Sequence, residues 1–309
     1  MSDVCANCGA ELTGAYCAAC GQKRLVDADR RIGHLLRQFI SAATDLDGRF
    51  WRSIGALLFR PGLLSREYID GRRARWMSPI GLFLLVNVVY FVFVQESDFT
   101  APFTWEMPGR IKVLAYEPGT VDAADVARLR ADPGPLHSRF TAPLVDRRVE
   151  ARDAAARAAS DGRQGYDYRD YRRAYDAKAP EISKAIAVEH VPFLAAALML
   201  LFWRKEHYYS EHFVVALHLL AFDMALLPIV VYGTDLLHLF VSREEWHNDA
   251  LNWLVRGIMT IYTVIALRRV YDVAWPWAIA GAIGLLAAYV AINFYLYRPV
   301  LFLVVFALT

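Results

Sequence analysis

The sequence lacks the short motifs that identify enzymes acting on phosphates, dinucleotides or esters. It contains no Gly-rich phosphate-binding loop, no Gly-x-Ser-x-Gly nucleophile elbow and no dinucleotide fingerprint. The pairs Glu206-His207 and Glu211-His212 miss the His-Glu-x-x-His spacing of zinc hydrolases, so they favour a solvated interface over a catalytic site. These absences favour a protein that is not an enzyme.

Cysteine is absent after residue 20, so no disulfide can cross-link the remaining chain. The four cysteines form two Cys-x-x-Cys pairs, Cys5 with Cys8 and Cys17 with Cys20. Four thiolates at this spacing suit one tetrahedral zinc ion, and a glycine after each pair suits the tight turn around it. We predict a zinc ribbon over residues 1–24 that binds one structural Zn²⁺, with Leu12 and Tyr16 as its apolar packing residues.

Charge is scarce in five long segments of a chain that is 56% hydrophobic and 13% aromatic, more than soluble proteins carry. These apolar segments are residues 79–95, 186–203, 212–240, 250–267 and 275–297. Their lengths predict an all-α polytopic membrane protein with about five transmembrane helices behind the zinc ribbon. The apolar tail Val300–Leu308 is too short to cross, so we expect it to pack along the bundle or to lie at the interface.

Between the ribbon and the first span, residues 25–78 form a linker followed by amphipathic and juxtamembrane helices. Apolar residues recur at three- and four-residue steps over 32–58, and Pro61-Gly62 ends the pattern. This amphipathic helix either lies in the membrane interface or packs against the transmembrane helices from the cytoplasmic side.

The segment 96–185 is rich in Ala, Arg and Asp, and prolines punctuate its first half. Its run Tyr166–Arg173 alternates basic with acidic residues, so it creates no strong positive field for nucleic acid. We predict a small water-facing insertion, helical or partly disordered, in preference to a binding module.

The charges of the short loops predict the orientation. Residues 60–75 carry five arginines against two acids, whereas the loop 242–249 is rich in acids. By the positive-inside rule, we predict that the N-terminus lies on the cytoplasmic side of the membrane and that the insertion lies outside. The ribbon then occupies a compartment that keeps thiols reduced, which favours metal over disulfides.

Basic and aromatic residues cluster immediately before the first span. They are Arg66, Tyr68, Arg72, Arg73, Arg75 and Trp76. We predict that they contact the lipid bilayer at the level of the phosphates, with the aromatic rings as interfacial anchors. The alternative is that the arginines only satisfy the positive-inside bias.

Several ionisable residues lie inside the apolar segments, namely His190, His218, Asp223, Asp235 and His238. Such residues can form an ion or proton relay or a metal site. We favour interhelical hydrogen bonds and interfacial positions, because His218 and Asp223 do not share a tight helix face.

Three short stretches carry a family resemblance: Arg60-Pro61-Gly62, Glu67–Arg73 and Trp76–Pro79. With the ribbon ahead of them, they resemble a family of uncharacterised bacterial membrane proteins that have an N-terminal zinc ribbon and a Tyr-Ile-x-Gly-Lys/Arg-Arg segment before the first span. The motifs cover about residues 5–95, and a weaker similarity follows at Arg268–Tyr271. The chain departs from the family by its long insertion and by Trp76. The resemblance implies this architecture and no mechanism.

Three functional hypotheses follow. The first is a non-enzymatic inner-membrane protein whose ribbon is a cytoplasmic platform for a protein partner or for membrane organisation. The second is a transporter or channel that uses the polar residues of the third apolar segment, and the third is an intramembrane enzyme. We expect no nucleic-acid binding by the ribbon, because few basic residues precede Lys23.

Overall fold

The computed structural model describes residues 4–24, 48–93, 100–117, 119–238 and 246–309, with the side chains at 231 and 233–252 excepted. Most of the predicted amphipathic pattern over 32–58 therefore lies outside the described residues. The described residues are mostly helical and contain no strand beyond two isolated bridges, Val4 with Glu11 and Tyr16 with Lys23.

The helices of the described residues are numbered in chain order. They are α1 Gly48–Phe59, α2 Leu63–Ile69, α3 Pro79–Phe93, α4 Phe103–Glu106, α5 Gly109–Ala115, α6 Ala123–Ala131, α7 Ser138–Ala159, α8 Tyr168–Ile186, α9 His190–Leu201, α10 Tyr209–His238, α11 Trp246–Tyr271, α12 Trp275–Ile292 and α13 Arg298–Leu308. A 3₁₀ turn, Ala187–Glu189, joins α8 to α9, and a π-helical turn, Asn293–Tyr297, joins α12 to α13. Pro61 and Gly62 separate α1 from α2, as the sequence predicts.

Among the described residues, three helices are long and apolar enough to cross a membrane, namely Tyr168–Leu201, Tyr209–Val230 and Trp275–Leu308. The shorter apolar helix Pro79–Phe93 coincides with the predicted first span. The predicted fourth span, 250–267, lies within α11, which is not among the three. The composition and length of these helices are those of a membrane protein, and the count of five spans stays a prediction.

The chain forms two compact units. Unit 1 comprises Met1–Gln95 and Val191–Ala288, and α10 is its central helix, packed against α1, α2, α3 and α11. A continuous buried run, Val214–Leu217, shows that α10 is apolar on every face here, as a helix surrounded by neighbours must be.

Unit 2 comprises Glu96–His190 and Tyr289–Thr309. The C-terminal helix α13 packs against α8, so the tail forms a core with the insertion segment. Phe302 stacks on Tyr175 at 5.4 Å between ring centroids, and Phe103 lies 5.6 Å from the same tyrosine. The apolar face of the tail is therefore covered within unit 2, and its placement in the membrane interface or along the transmembrane bundle stays a prediction.

Candidate functional site: the cysteine cluster and the juxtamembrane turn

The ribbon consists of two equivalent cysteine knuckles, twelve residues apart from Cys5 to Cys17. In the first, the amide of Gly9 donates to the carbonyl of Cys5 at 2.8 Å, and in the second the amide of Gly21 donates to that of Cys17 at 2.8 Å. Both glycines have positive φ, 76° and 70°, a conformation that only glycine adopts at little cost. The glycine after each pair is thus explained by the turn that it makes.

The four cysteines are free, and the two knuckles bring them together. All four sulfurs lie within 4.8 Å of one another, so they can hold a metal ion. Hydrogen bonds from the Gln22 backbone and the Asn7 side chain lower the pKa of Cys20 to about 6. At Cys8 a backbone hydrogen bond at Ala10 favours the thiolate, but interactions with Cys20 and Cys17 prevail and raise its pKa to about 12. A bound cation would allow all four to be thiolates at once.

The core of the ribbon is very small. It consists of Cys5, Leu12 and Cys17, with Ala10 and Cys20 partly buried against them. The prediction for Leu12 is confirmed, whereas that for Tyr16 is wrong, because this side chain is 64% exposed. Two knuckles leave room for one apolar side chain between them, and Tyr16 lies on the outer surface with Val4, its equivalent in the first knuckle.

A single buried glutamine fixes the ribbon to the turn before the first span. The Gln22 side-chain amide donates to the carbonyl of Gly71, 49 residues along the chain. Its Oε1 accepts from the amides of Arg73 at 3.0 Å and Ala74 at 3.1 Å. Gln22 is only 7% exposed, so this contact replaces water at both ends of the amide.

The same turn, which we call the juxtamembrane turn (residues 70–76), is organised around Glu67. The carboxylate accepts from Arg72 at 2.8 Å, from Arg75 at 2.6 Å and from the indole of Trp76 at 3.3 Å. Burial opposes its charge, yet these hydrogen bonds prevail and lower the pKa of Glu67 below its usual value. One carboxylate thus holds three of the residues for which lipid contact is predicted.

The other two arginines of the predicted lipid site are also engaged within the protein. Arg66 pairs with Asp70 at 3.1 Å and donates to the carbonyl of Val270 at 3.2 Å. Arg73 donates to the carbonyl of Tyr68 at 3.1 Å, and its guanidinium carbon lies 3.7 Å from the centroid of the Tyr68 ring. Tyr68 is 6% exposed and belongs to the core. Lipid contact by these side chains stays a prediction.

The turn between α1 and α2 rests directly on α11. Gly62 has φ +72°, and a Cβ there would lie 2.7 Å from the carbonyl oxygen of Ala266. Arg269 donates to the carbonyl of Pro61 at 2.6 Å, and Tyr262 donates to that of Leu57 at 2.6 Å. The Arg-Pro-Gly motif therefore makes a close main-chain approach to a neighbouring helix.

Three of the five polar residues of the apolar segments, His190, His218 and Asp223, have described side chains. The ring of His218 hydrogen bonds with Ser65 of α2 at 2.9 Å, and both residues are buried. Asp223 lies half-buried on the same helix. His190 is buried in unit 2, where its Nδ1 bonds with the carbonyl of Ala187 at 3.1 Å. The side chains of Asp235 and His238 lie outside the described residues.

Sequence reasoning missed three residues of this site, Gln22, Ser65 and Glu67. The one available signal concerns Gln22, which occupies the position of Ala10 in the repeat of the knuckles. Because the first knuckle has an apolar alanine at this position, the polar side chain of Gln22 in the second knuckle indicates a polar contact of the second knuckle. Glu67 is part of the family motif, but the motif by itself does not identify its three donors.

Residues 47–91 match a family whose description is "Protein of unknown function (DUF3667)". This match supports the resemblance to an uncharacterised family over α1, α2, the juxtamembrane turn and most of α3. No curated protein and no solved structure matches the chain. The matched segment contains Glu67, Gly62 and the carbonyl that Gln22 binds, so the geometry described above gives its residues a physical role.

Proposed function

We propose that this chain is a non-enzymatic protein of the bacterial inner membrane whose ribbon binds one structural Zn²⁺ and is a cytoplasmic platform for a protein partner. The observation that carries the proposal is the Gln22 contact, which fixes the ribbon to the juxtamembrane turn, while Val4 and Tyr16 are more than half exposed with respect to the described residues. The arginine-rich loops support a cytoplasmic N-terminus and an insertion outside.

The distances between sulfurs support zinc. Zn–S bonds of about 2.3 Å in a tetrahedron place neighbouring sulfurs about 3.8 Å apart. The Cys5 and Cys20 sulfurs are 3.7 Å apart, and those of Cys8 and Cys17 are 3.6 Å apart. Four thiolates without histidine or carboxylate form a closed, structural type of site, with no ligand position for a substrate.

The exposed residues of the ribbon indicate where a partner binds. Val4 is 52% exposed and Tyr16 64% exposed, at equivalent positions of the two knuckles. A tyrosine supplies much contact area with few rotatable bonds, so it is favoured in protein interfaces.

Transport would instead require His218 and Asp223 to face a shared aqueous cavity, whereas the His218 ring bonds with Ser65.

We expect the double variant Val4→Ser/Tyr16→Ser to lose the protein that copurifies with the wild-type chain in mild detergent. Removing the apolar contact of an interface tyrosine costs about 2 kcal/mol or more at a central position, about thirtyfold in affinity. Quantitative mass spectrometry of the copurified proteins measures the loss. The control is Thr13→Ala, an exposed residue of the ribbon. Equal recovery of every partner with the double variant would contradict a platform on this face.

We expect Gln22→Ala to release the ribbon from the juxtamembrane turn without loss of metal. The change removes three hydrogen bonds, each contributing about 0.5–1.5 kcal/mol. Hydrogen exchange of the full chain in detergent should show faster exchange at the amides of Arg73 and Ala74, with the amides of Gly9 and Gly21 unchanged.

Gln22→Glu is the informative second variant, because it keeps the acceptor for these two amides and loses the donor to Gly71. We expect the amides of Arg73 and Ala74 in this variant to exchange faster than in the wild type and more slowly than in Gln22→Ala. If exchange at Arg73 and Ala74 were the same in all three proteins, the glutamine would not be what holds the ribbon.

A further inference from the structure

A half-open cleft of about 680 Å³ lies in unit 1 between the end of α9 and the start of α12. Its floor is apolar and includes Leu201, Ala280 and Gly281. Its lining includes Arg204, Lys205 and one acidic residue, Asp272, beside two tryptophans, Trp203 and Trp277, which together we call the rim. None of these residues belongs to the matched family segment or to the cysteine site.

Glycines and a buried aromatic pair set the shape of the floor. A Cβ on Gly281 would lie 2.6 Å from Cζ of Phe202, and one on Gly284 would lie 2.6 Å from Cδ2 of Leu201. The Phe202 ring in turn stacks on Tyr271 with centroids 4.0 Å apart. The end of α9 therefore lies close against α12, and the cleft is fixed by packed side chains.

The two cations of the rim are available to an anion. Lys205 Nζ donates to the carbonyl of Asp272 at 3.1 Å, which fixes its position and leaves the charge uncompensated by that bond. Arg204 is exposed and lies 5.4 Å from the Trp203 ring. Within the described part of the chain no carboxylate pairs with either side chain. A phosphate matches both donors in charge and hydrogen bonding.

The surroundings identify the phosphate as part of a lipid. Trp203 and Trp277 are 71% and 70% exposed, as expected for rings that lie among headgroups. A soluble anion would use only the charged rim, whereas an acyl chain also covers the apolar floor.

We propose that this cleft binds an anionic phospholipid, with the phosphate at Arg204 and Lys205 and one acyl chain over Leu201, Ala280 and Gly281. The arginine-rich ends of the helices orient the rim toward the cytoplasmic leaflet, which is rich in anionic lipid. The site shares the membrane orientation of the proposed function but does not depend on the ribbon or its partner, so loss of the partner and loss of the lipid are separate outcomes.

The test uses the full chain in nanodiscs of phosphatidylglycerol and phosphatidylcholine, with bound lipid counted by native mass spectrometry. We expect Arg204→Gln/Lys205→Gln to bind phosphatidylglycerol about 25-fold more weakly, about fivefold for each cation, and phosphatidylcholine unchanged. The matched control Arg128→Gln/Arg163→Gln removes the same charge from side chains that are 82% and 80% exposed in unit 2. It should bind lipid as the wild type does.

A third variant tests the acyl part of the site without a change of charge. Ala280→Trp fills the floor from an exposed position, and it should also weaken phosphatidylglycerol binding. An unchanged thermal unfolding profile shows that each variant is folded. Equal phosphatidylglycerol binding by the wild type and Arg204→Gln/Lys205→Gln would overturn the proposal. So would displacement of the lipid by millimolar inorganic phosphate, which would identify a soluble anion as the ligand.

Discussion

Cys17→Ser should abolish metal binding and unfold the ribbon, while the helices of both units remain folded. Cys17 is 2% exposed, and the apolar core of the ribbon contains only Leu12 besides cysteines. Structural zinc contributes about 10–16 kcal/mol in peptides of this kind, far more than one leucine can supply. The membrane helices bury their own surface, so they do not depend on the ribbon for stability.

Two measurements check this expectation. Metal analysis of the purified wild-type chain should give one zinc per chain, and the variant should give close to none. Proteolysis should then cleave the ribbon of the variant after Lys23, with the membrane fraction of the protein unchanged. Thr13→Ala is again the control, because it changes an exposed ribbon residue that cannot bind metal. A wild-type chain without zinc, or with Cys5 in a disulfide, would refute the metal site.

The second large effect concerns a buried carboxylate in unit 2. Glu106 is 1% exposed, and its two oxygens bind Arg298 at 2.6 Å and the His137 ring at 2.6 Å. Glu106→Ala leaves Arg298, whose side chain is 12% exposed, without its carboxylate, and breaking a buried ion pair costs about 3–5 kcal/mol. We expect unit 2 to unfold at a correspondingly lower denaturant concentration, with the ribbon and its metal unaffected.

Two further variants separate charge from packing. Glu106→Gln keeps the shape and one acceptor oxygen, so it should destabilise unit 2 less than Glu106→Ala does. Glu117→Ala removes a carboxylate that is 56% exposed and pairs with Arg169 at 3.4 Å, which should cost less than about 1 kcal/mol. If Glu106→Ala were as stable as Glu117→Ala, the buried pair would contribute nothing to unit 2.

The cysteine knuckles could be predicted from the sequence because their chemistry is local. Spacing and the following glycines determine the two turns, and the structure brings the four sulfurs together. The attachment of the ribbon could not be predicted in this way. It depends on one amide and three backbone groups that are 49 to 52 residues away, and such contacts follow no periodic pattern.

The sequence of α8 contains a periodic pattern that indicates the core of unit 2, but the charged residues within it obscure the pattern. Tyr171, Tyr175 and Ala179 recur at four-residue steps and are completely buried, so they form the core face of α8. Charged residues stand between them and suggest a solvated surface. In the structure these charges pair locally, as Arg173 does with Asp170 at 2.5 Å, and they occupy the opposite face. The covering helix α13 lies more than a hundred residues away in sequence, which is why the core was not expected.

The contact at Gly62 constrains unequally the two segments of the chain that meet there. A Cβ at this position would collide with the backbone of Ala266, 2.7 Å from its oxygen and 2.8 Å from its Cα. Glycine is therefore required at position 62 whatever side chain stands at position 266. The approach is made to backbone atoms, so it constrains position 62 directly and position 266 only through its main chain.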